Sequence, residues 1–235
     1  MRAPIGLAAM VTVASLTAAG SGATAAPDRG APDPSRFVRT VDNPWFPLRP
    51  GTTFVYRGVK DGEPSRDVVR VTSRTRVIQG VRCTEVGDRL YTSGRLSERT
   101  TDWYAQDRVG TVWYFGEDTA ELDPAGKVTS REGSWLAGVA GARAGVFMPA
   151  RPRVGQRFRQ EYLKGHAEDH FQVLSLRARA RVPAVSSDSA LLTKEWTPLE
   201  PGVVDYKLYV RGIGLVDERT IRGGDERNAL VSRSR

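Results

Sequence analysis

Alternation is the property that most constrains this sequence. From Thr52 onward, apolar residues recur at every second position through most of the chain. That is the period of a strand with one buried face. Strands are expected over 52–58, 67–78, 81–91, 95–104, 111–115, 127–131, 156–163, 167–176, 190–196, 203–211, 215–222 and 229–232. Turn residues punctuate them: Asp61-Gly62, Gln79-Gly80 and Ser93-Gly94 separate the first four. Strands this short and regularly spaced predict an all-β domain. The expected form is a single antiparallel meander, folded as a curved sheet or incomplete barrel with little helix. The one helical candidate is 134–142, where Ser134 offers a cap while Gly138 and Gly141 weaken the helix. Residues 145–152 read as a Pro-bounded loop, and the Pro/Gly-rich stretch 133–152 is expected to lie across the sheet.

The first residues have a different pattern. Arg2 gives a basic start, Ile5 to Ala19 is apolar, and Ala23-Thr24-Ala25 and Thr24-Ala25-Ala26 are small-residue cleavage sites. This is the pattern of a secretory signal peptide over 1–26. Its apolar stretch is too short to span a bilayer comfortably, so no transmembrane span is expected in the mature protein. Residues 27–36, with Pro27, Pro32 and Pro34, read as a flexible lead-in to one domain over 37–233. The expected location is secreted or extracellular. Cys83 is the only cysteine. No internal disulfide can form, and stability must come from core burial. Cys83 lies in an alternating stretch and reads as a buried, inert thiol.

The chain has a formal net charge of +8, which suits an anionic cell-wall polymer as a partner. The arginines form rows instead of patches: Arg70, Arg74 and Arg76 alternate along one strand, as do Arg177, Arg179 and Arg181. Such rows are usually solvated faces. No nucleic-acid-binding signature is present, and no nucleic-acid partner is expected.

A run of motifs carries a resemblance. It begins with Asp42-Asn43-Pro44-Trp45-Phe46-Pro47-Leu48, then Pro50-Gly51. Asp102-Trp103-Tyr104-Ala105-Gln106-Asp107 and Val112-Trp113-Tyr114-Phe115-Gly116-Glu117 follow, then Arg159-Gln160-Glu161-Tyr162 and Trp196-Thr197-Pro198-Leu199-Glu200-Pro201-Gly202. Together these resemble a family of exported, functionally uncharacterised bacterial proteins frequent in actinobacteria. The strand pattern is also similar, at the level of fold, to envelope carrier proteins built on one curved sheet. The resemblance implies no reaction, ligand or catalytic residue. The family usually has other residues where this chain has His166 and His170, so chemistry resting on them would not be the family's.

Several constellations suggest chemistry. His166 and His170 are four residues apart in a strand context. At about 3.3 Å per residue that separation is too wide for one metal ion, and no metal site or cofactor is expected. In the phase of Ala167, Phe171 and Val173, Asp169 points inward, with Arg159 a candidate ion-pair partner. Carboxylates also gather at Asp102, Asp107, Glu117, Asp118, Glu132 and Glu161. Such groups serve glycoside hydrolysis or Ca²⁺ binding. The aromatic hairpin of Trp103, Tyr104, Trp113, Tyr114 and Phe115 is expected to set Trp103 opposite Trp113. This either stabilises the sheet or forms a stacking wall for a ligand. No G-x-S-x-G elbow and no nucleotide-binding glycine pattern occurs.

The reading is a secreted binding or envelope-associated module for a small apolar or carbohydrate-like ligand. The candidate ligand-binding residues are Trp103, Trp113, Tyr114, Arg159, Glu161 and Asp169. Two alternatives stay open. One is a secreted carboxylate-dependent, hydrolase-like enzyme using Asp169 with Glu161 or Glu132. The other is a cell-surface structural or interaction protein.

Overall fold

The structure, a computed structural model, describes residues 32–235. The signal peptide and the start of the lead-in lie outside the described residues. The N-terminal half builds β1 (Thr53–Lys60), β2 (Glu63–Ile78), β3 (Val81–Thr92), β4 (Arg95–Gln106) and β5 (Val112–Leu122). Short strands follow: β6 (Val128–Ser130), β7 (Trp135–Leu136), β8 (Arg143–Met148), β9 (Arg157–Arg159) and β10 (Glu161–Tyr162). The C-terminal half builds β11 (His170–Val182), β12 (Val185–Trp196), β13 (Val204–Val210), β14 (Gly214–Arg222) and β15 (Arg227–Ser234). All belong to one antiparallel sheet, as the alternation predicts. The only helical piece among the described residues is a single turn at Pro34–Arg36, capped by Asp33.

The three expected turns are tight. Asp61-Gly62, Gln79-Gly80 and Ser93-Gly94 have positive φ at both central residues, 51° and 75°, 48° and 78°, 50° and 81°. That is the twist-matched geometry of a two-residue hairpin. They wind β1 to β4 into a meander that β5 extends. The strands β11 to β15 form a second meander. The two join where β1 pairs β15, with Thr53 opposite Ser234. Bulges bend the long strands: the register between β2 and β3 shifts between Val71 and Thr75.

The result is a nearly closed barrel with one seam. On one side β8 pairs β5, and on the other β9 pairs β11. The segment 157–162 bridges them. Its first half pairs β11, with Arg159 opposite His170, and its second half pairs β8, with Glu161 opposite Ala144. Gly145 permits the approach, since a Cβ there would lie 2.4 Å from the carbonyl of Gln160 and 2.5 Å from that of Arg159. These are backbone atoms and cannot swing aside. Gly145→Ala is therefore expected to open the seam and cost about 2 kcal/mol, in the range of overpacking changes. Guanidinium unfolding checks this, and an unchanged midpoint would mean the seam is loose.

Three expectations are corrected. Residues 134–142 form no helix: Trp135–Leu136 pairs β5 and a turn follows. The glycines that weaken the helix serve that turn, where Gly138 and Gly141 have φ of 86° and 83°. Residues 143–148 are a strand and not part of a loop, so 133–152 joins the sheet instead of lying across it. Trp103 faces Gly116 and not Trp113, which pairs with Ala105. A bulge inserts Phe115 between the pairs Trp103–Gly116 and Tyr104–Tyr114 and reverses the phase of β5 beyond it.

Candidate functional site

The motif at 41–51 acts as a strap across one end of the barrel. Asn43, 1% exposed, is its pin. Its side-chain amide donates to the carbonyls of Gly110 (2.8 Å) and Pro149 (3.2 Å), and its Oδ1 accepts from the Trp45 N–H (2.8 Å). Gln106 Oε1 accepts from the N–H groups of Asp42 (2.9 Å) and Asn43 (2.7 Å). On the far side the Gly212 N–H donates to Pro44 O (2.7 Å), and the Arg211 guanidinium lies 4.9 Å from the Trp45 ring centre. Phe46 then turns inward, packing edge-on to Tyr104 at 5.2 Å and tilted on Phe147 at 4.5 Å.

Beneath the strap is a cavity of about 130 Å³. Phe46, Pro47, Leu48, Phe54, Phe147 and Leu215 give it apolar walls. Its floor is acidic: Asp67 of β2, Asp88 of β3, Glu98 and Asp102 of β4, and Glu218 of β14, with Lys207 of β13 the one cation lining it. Each carboxylate is in phase with apolar neighbours, as in Val86-Asp88-Leu90, so the pleat turns it inside. Glu98 also lines a wider mouth of about 520 Å³ at the other end, among the turns that carry Asp61, Glu63 and Asp123.

Electrostatics follow from this enclosure. Burial pushes Asp102 up to about 7, although the Tyr114 hydroxyl donates to its Oδ1 at 2.6 Å and lowers it. Burial likewise pushes Glu98 and Glu218 up to about 8, with Lys60 and Lys207 respectively opposing the rise. Asp67 titrates well above the ordinary carboxylate range, first through burial, then through the charge of Asp88 and a hydrogen bond between the two carboxyls. Lys207 is 4% exposed and bridges Glu195 Oε2 at 3.0 Å and Glu218 Oε1 at 3.3 Å. Burial works against its charge, but the two carboxylates outweigh burial and hold it well above the usual lysine range.

The six candidate residues from sequence are distributed as follows. Tyr114 is inside, stacked on Tyr104 at 4.7 Å, and reaches the cavity floor through Asp102. Trp113, Arg159 and Glu161 line one shallow groove over the seam, with Arg143 and Tyr162. There the guanidinium groups of Arg143 and Arg159 each lie 4.6 Å from the Tyr162 ring centre. The Trp113 indole N–H donates to Asp107 Oδ2 at 3.1 Å. Glu161 is 1% exposed, and burial with the charge of Asp169 raises it well above its ordinary range. Trp103 is on the opposite face of β4 from Asp102 and Tyr104, under the Arg76 guanidinium at 4.4 Å.

Asp169 has no ion pair with Arg159, which instead donates from Nε to His170 Nε2 at 3.2 Å. The two face opposite sides because Arg159 pairs with His170, the next residue. The cation acting on Asp169 is Lys207, which together with a Thr197 hydrogen bond opposes burial, and burial still carries Asp169 to about 7. His166 lies 3.6 Å from Glu132 Oε1. Among the described residues no three His, Cys, Asp or Glu side chains are grouped to hold a metal ion. Cys83 is buried, and desolvation raises its thiol to about 12.

No family model matches the chain, and the comparison with curated proteins found no match. Two solved structures resemble it. A candidate exported protein with a YmcC-like fold from Bacteroides fragilis is 14% identical, with a TM-score of 0.47 over 81% of this chain and 99% of that one. A candidate lipoprotein from Parabacteroides distasonis is 12% identical, with a TM-score of 0.40 over 81% of this chain and 98% of that one. No helix among the described residues is long and apolar enough to cross a membrane.

Proposed function

We propose that the protein is a secreted or envelope-associated binding module that holds a small, largely apolar molecule inside its barrel. The observation that supports this is the cavity of about 130 Å³ beneath the strap, walled by Phe46, Phe54, Phe147 and Leu215. A cavity of about 150 Å³ lined by apolar side chains takes a benzene-sized guest. The strap contributes walls as well as closure, since Phe46, Pro47 and Leu48 belong to both. The export part of the reading is supported by the leader pattern over residues 1–26.

Val69 lines the cavity and is only half-buried. Val69→Phe is expected to fill the space while keeping the apolar surface, and to weaken binding of benzyl alcohol at least about tenfold. Methyl chemical-shift titration of Val71, Ile213 and Leu215 reads both the site and the affinity. Unaltered shifts in the unsubstituted protein at saturating benzyl alcohol would refute the reading.

A further inference from the structure

We propose that the cavity selects small organic cations: an ammonium group on the carboxylate floor, with the hydrocarbon against Phe46, Phe147 and Leu215. This rests on the cavity being a binding site and adds the chemical class of the guest.

The first argument is the imbalance of charge. Five carboxyl groups and one lysine line the space. That lysine is already committed, because Lys207 bridges Glu195 and Glu218. Two further cations stand near the floor: Arg89, whose Nη1 donates to the carbonyl oxygens of Asp88 and Thr100, and Lys60, which pairs with Glu226 at 3.8 Å. A buried carboxylate needs a partner or a proton.

The second argument is free acceptor capacity. Asp102 is 8% exposed and lines the cavity, yet only its Oδ1 receives a hydrogen bond, from Tyr114. Glu98 is 6% exposed, and only its Oε1 does, from Thr100. The Asp67 Oδ1 atom is inaccessible to solvent, and the one group the Asp67 carboxyl shares a hydrogen bond with is another acid, Asp88. An ammonium group carries three donors and no acceptor, which is the complement of this floor. A carboxylate guest would add a like charge. A bare metal ion finds no three-ligand group among the described residues. The mouth supports the same class, since Glu98 stands between it and the cavity, and Asp61, Glu63, Glu121 and Asp123 line it against one cation, Lys60.

Protons hold the place of the guest. The groups facing Asp102 and Glu98 are Asp88, Arg89, Lys60, Glu121 and the Tyr114 hydroxyl; Glu195, Asp205, Glu226 and Lys207 face Glu218. Acids and bases are equal in number around Asp102 and Glu98 taken together, and acids outnumber bases three to one around Glu218. Burial keeps Asp102, Glu98 and Glu218 protonated to about 7 or 8. A cation must displace those protons, so its affinity rises with pH through that range while it keeps its own charge.

The test is calorimetric titration of the full mature protein with benzylammonium, benzyl alcohol and benzoate, at about pH 6 and about pH 8.5. Benzylammonium is expected to bind at least about tenfold more tightly at the higher pH, and there at least about tenfold more tightly than benzyl alcohol, with benzoate not binding. Asp102→Asn is expected to remove most of that preference, lowering benzylammonium affinity far more than that of benzyl alcohol. Glu98→Gln reads the same if the first variant does not fold. Equal binding of amine and alcohol, or an amine affinity indifferent to pH or to both substitutions, overturns the cation proposal and leaves the apolar cavity standing. Binding of neither overturns both.

Discussion

Lys207→Met is expected to destabilise the protein by about 3–5 kcal/mol, the range seen when one partner of a buried ion pair is removed. The methionine nearly matches the lysine stem in volume, so packing contributes little. The loss comes chiefly from Glu195, 3% exposed and left without the ammonium at 3.0 Å, while Glu218, protonated to about 8, loses its contact at 3.3 Å. Asp205 and Asp169 feel the same charge, since Lys207 lowers both against burial. Urea unfolding at neutral pH measures the effect. A triple variant that adds Glu195→Gln and Glu218→Gln is expected to recover most of it, because no uncompensated charge is then buried. A single variant as stable as the parent would mean that water, not Lys207, neutralises this part of the barrel.

Stability is expected to fall by several kcal/mol between pH 5 and pH 8, with each such group contributing about 1.4 kcal/mol per unit of pKa change. In the unfolded chain the carboxyls lose their protons near pH 4. In the barrel, Asp102, Asp169 and Glu226 keep theirs to about 7, and Glu98 and Glu218 to about 8. Between those limits the native state binds more protons, and each rise in pH favours the state that binds fewer. For Asp102 alone the upper bound is roughly 4 kcal/mol. Water admitted through the mouth, and repulsion shared among the groups, make the sum smaller than five such terms. Below about pH 4 the advantage is complete, and self-repulsion of a basic chain then takes over. Melting temperature against pH checks this, and a flat or rising curve between 5 and 8 would refute the protonated interior. Asp102→Asn is expected to flatten part of the slope.

The sheet was legible because its grammar is local. Asp-Gly, Gln-Gly and Ser-Gly turns, separated by alternating stretches, specify hairpins without reference to the rest of the chain. The reversal at Phe115 was not, since a bulge of one residue leaves alternation intact on either side and is fixed by what the strands pack against. The inward turn of Asp169 followed from its phase with Phe171 and Val173. The same rule applied to Asp67 with Val69 and Val71, or to Asp88 with Val86 and Leu90, locates the cavity floor. Those carboxylates escape notice because an acidic residue on a strand is ordinarily read as solvent-facing. The strap motif was visible as a motif, but its role depends on Gly110, Pro149 and Gly212, far away in sequence.

The pairing of β1 with β15 has a consequence for the order of assembly. Strand Thr53–Lys60 finds its second neighbour only in Arg227–Ser234. A chain emerging from its N-terminal end can complete the first meander early, yet the β1 flank of that meander remains unpaired until Arg227–Ser234 exists. Long-range contacts of this kind make folding slow, and an open flank invites pairing with other chains. A nascent chain thus keeps an adhesive flank until Arg227–Ser234 has been made. A partner that masks the open edge of β1 would protect it during that interval, and truncation before Arg227 is expected to leave an open, self-associating sheet in place of the barrel.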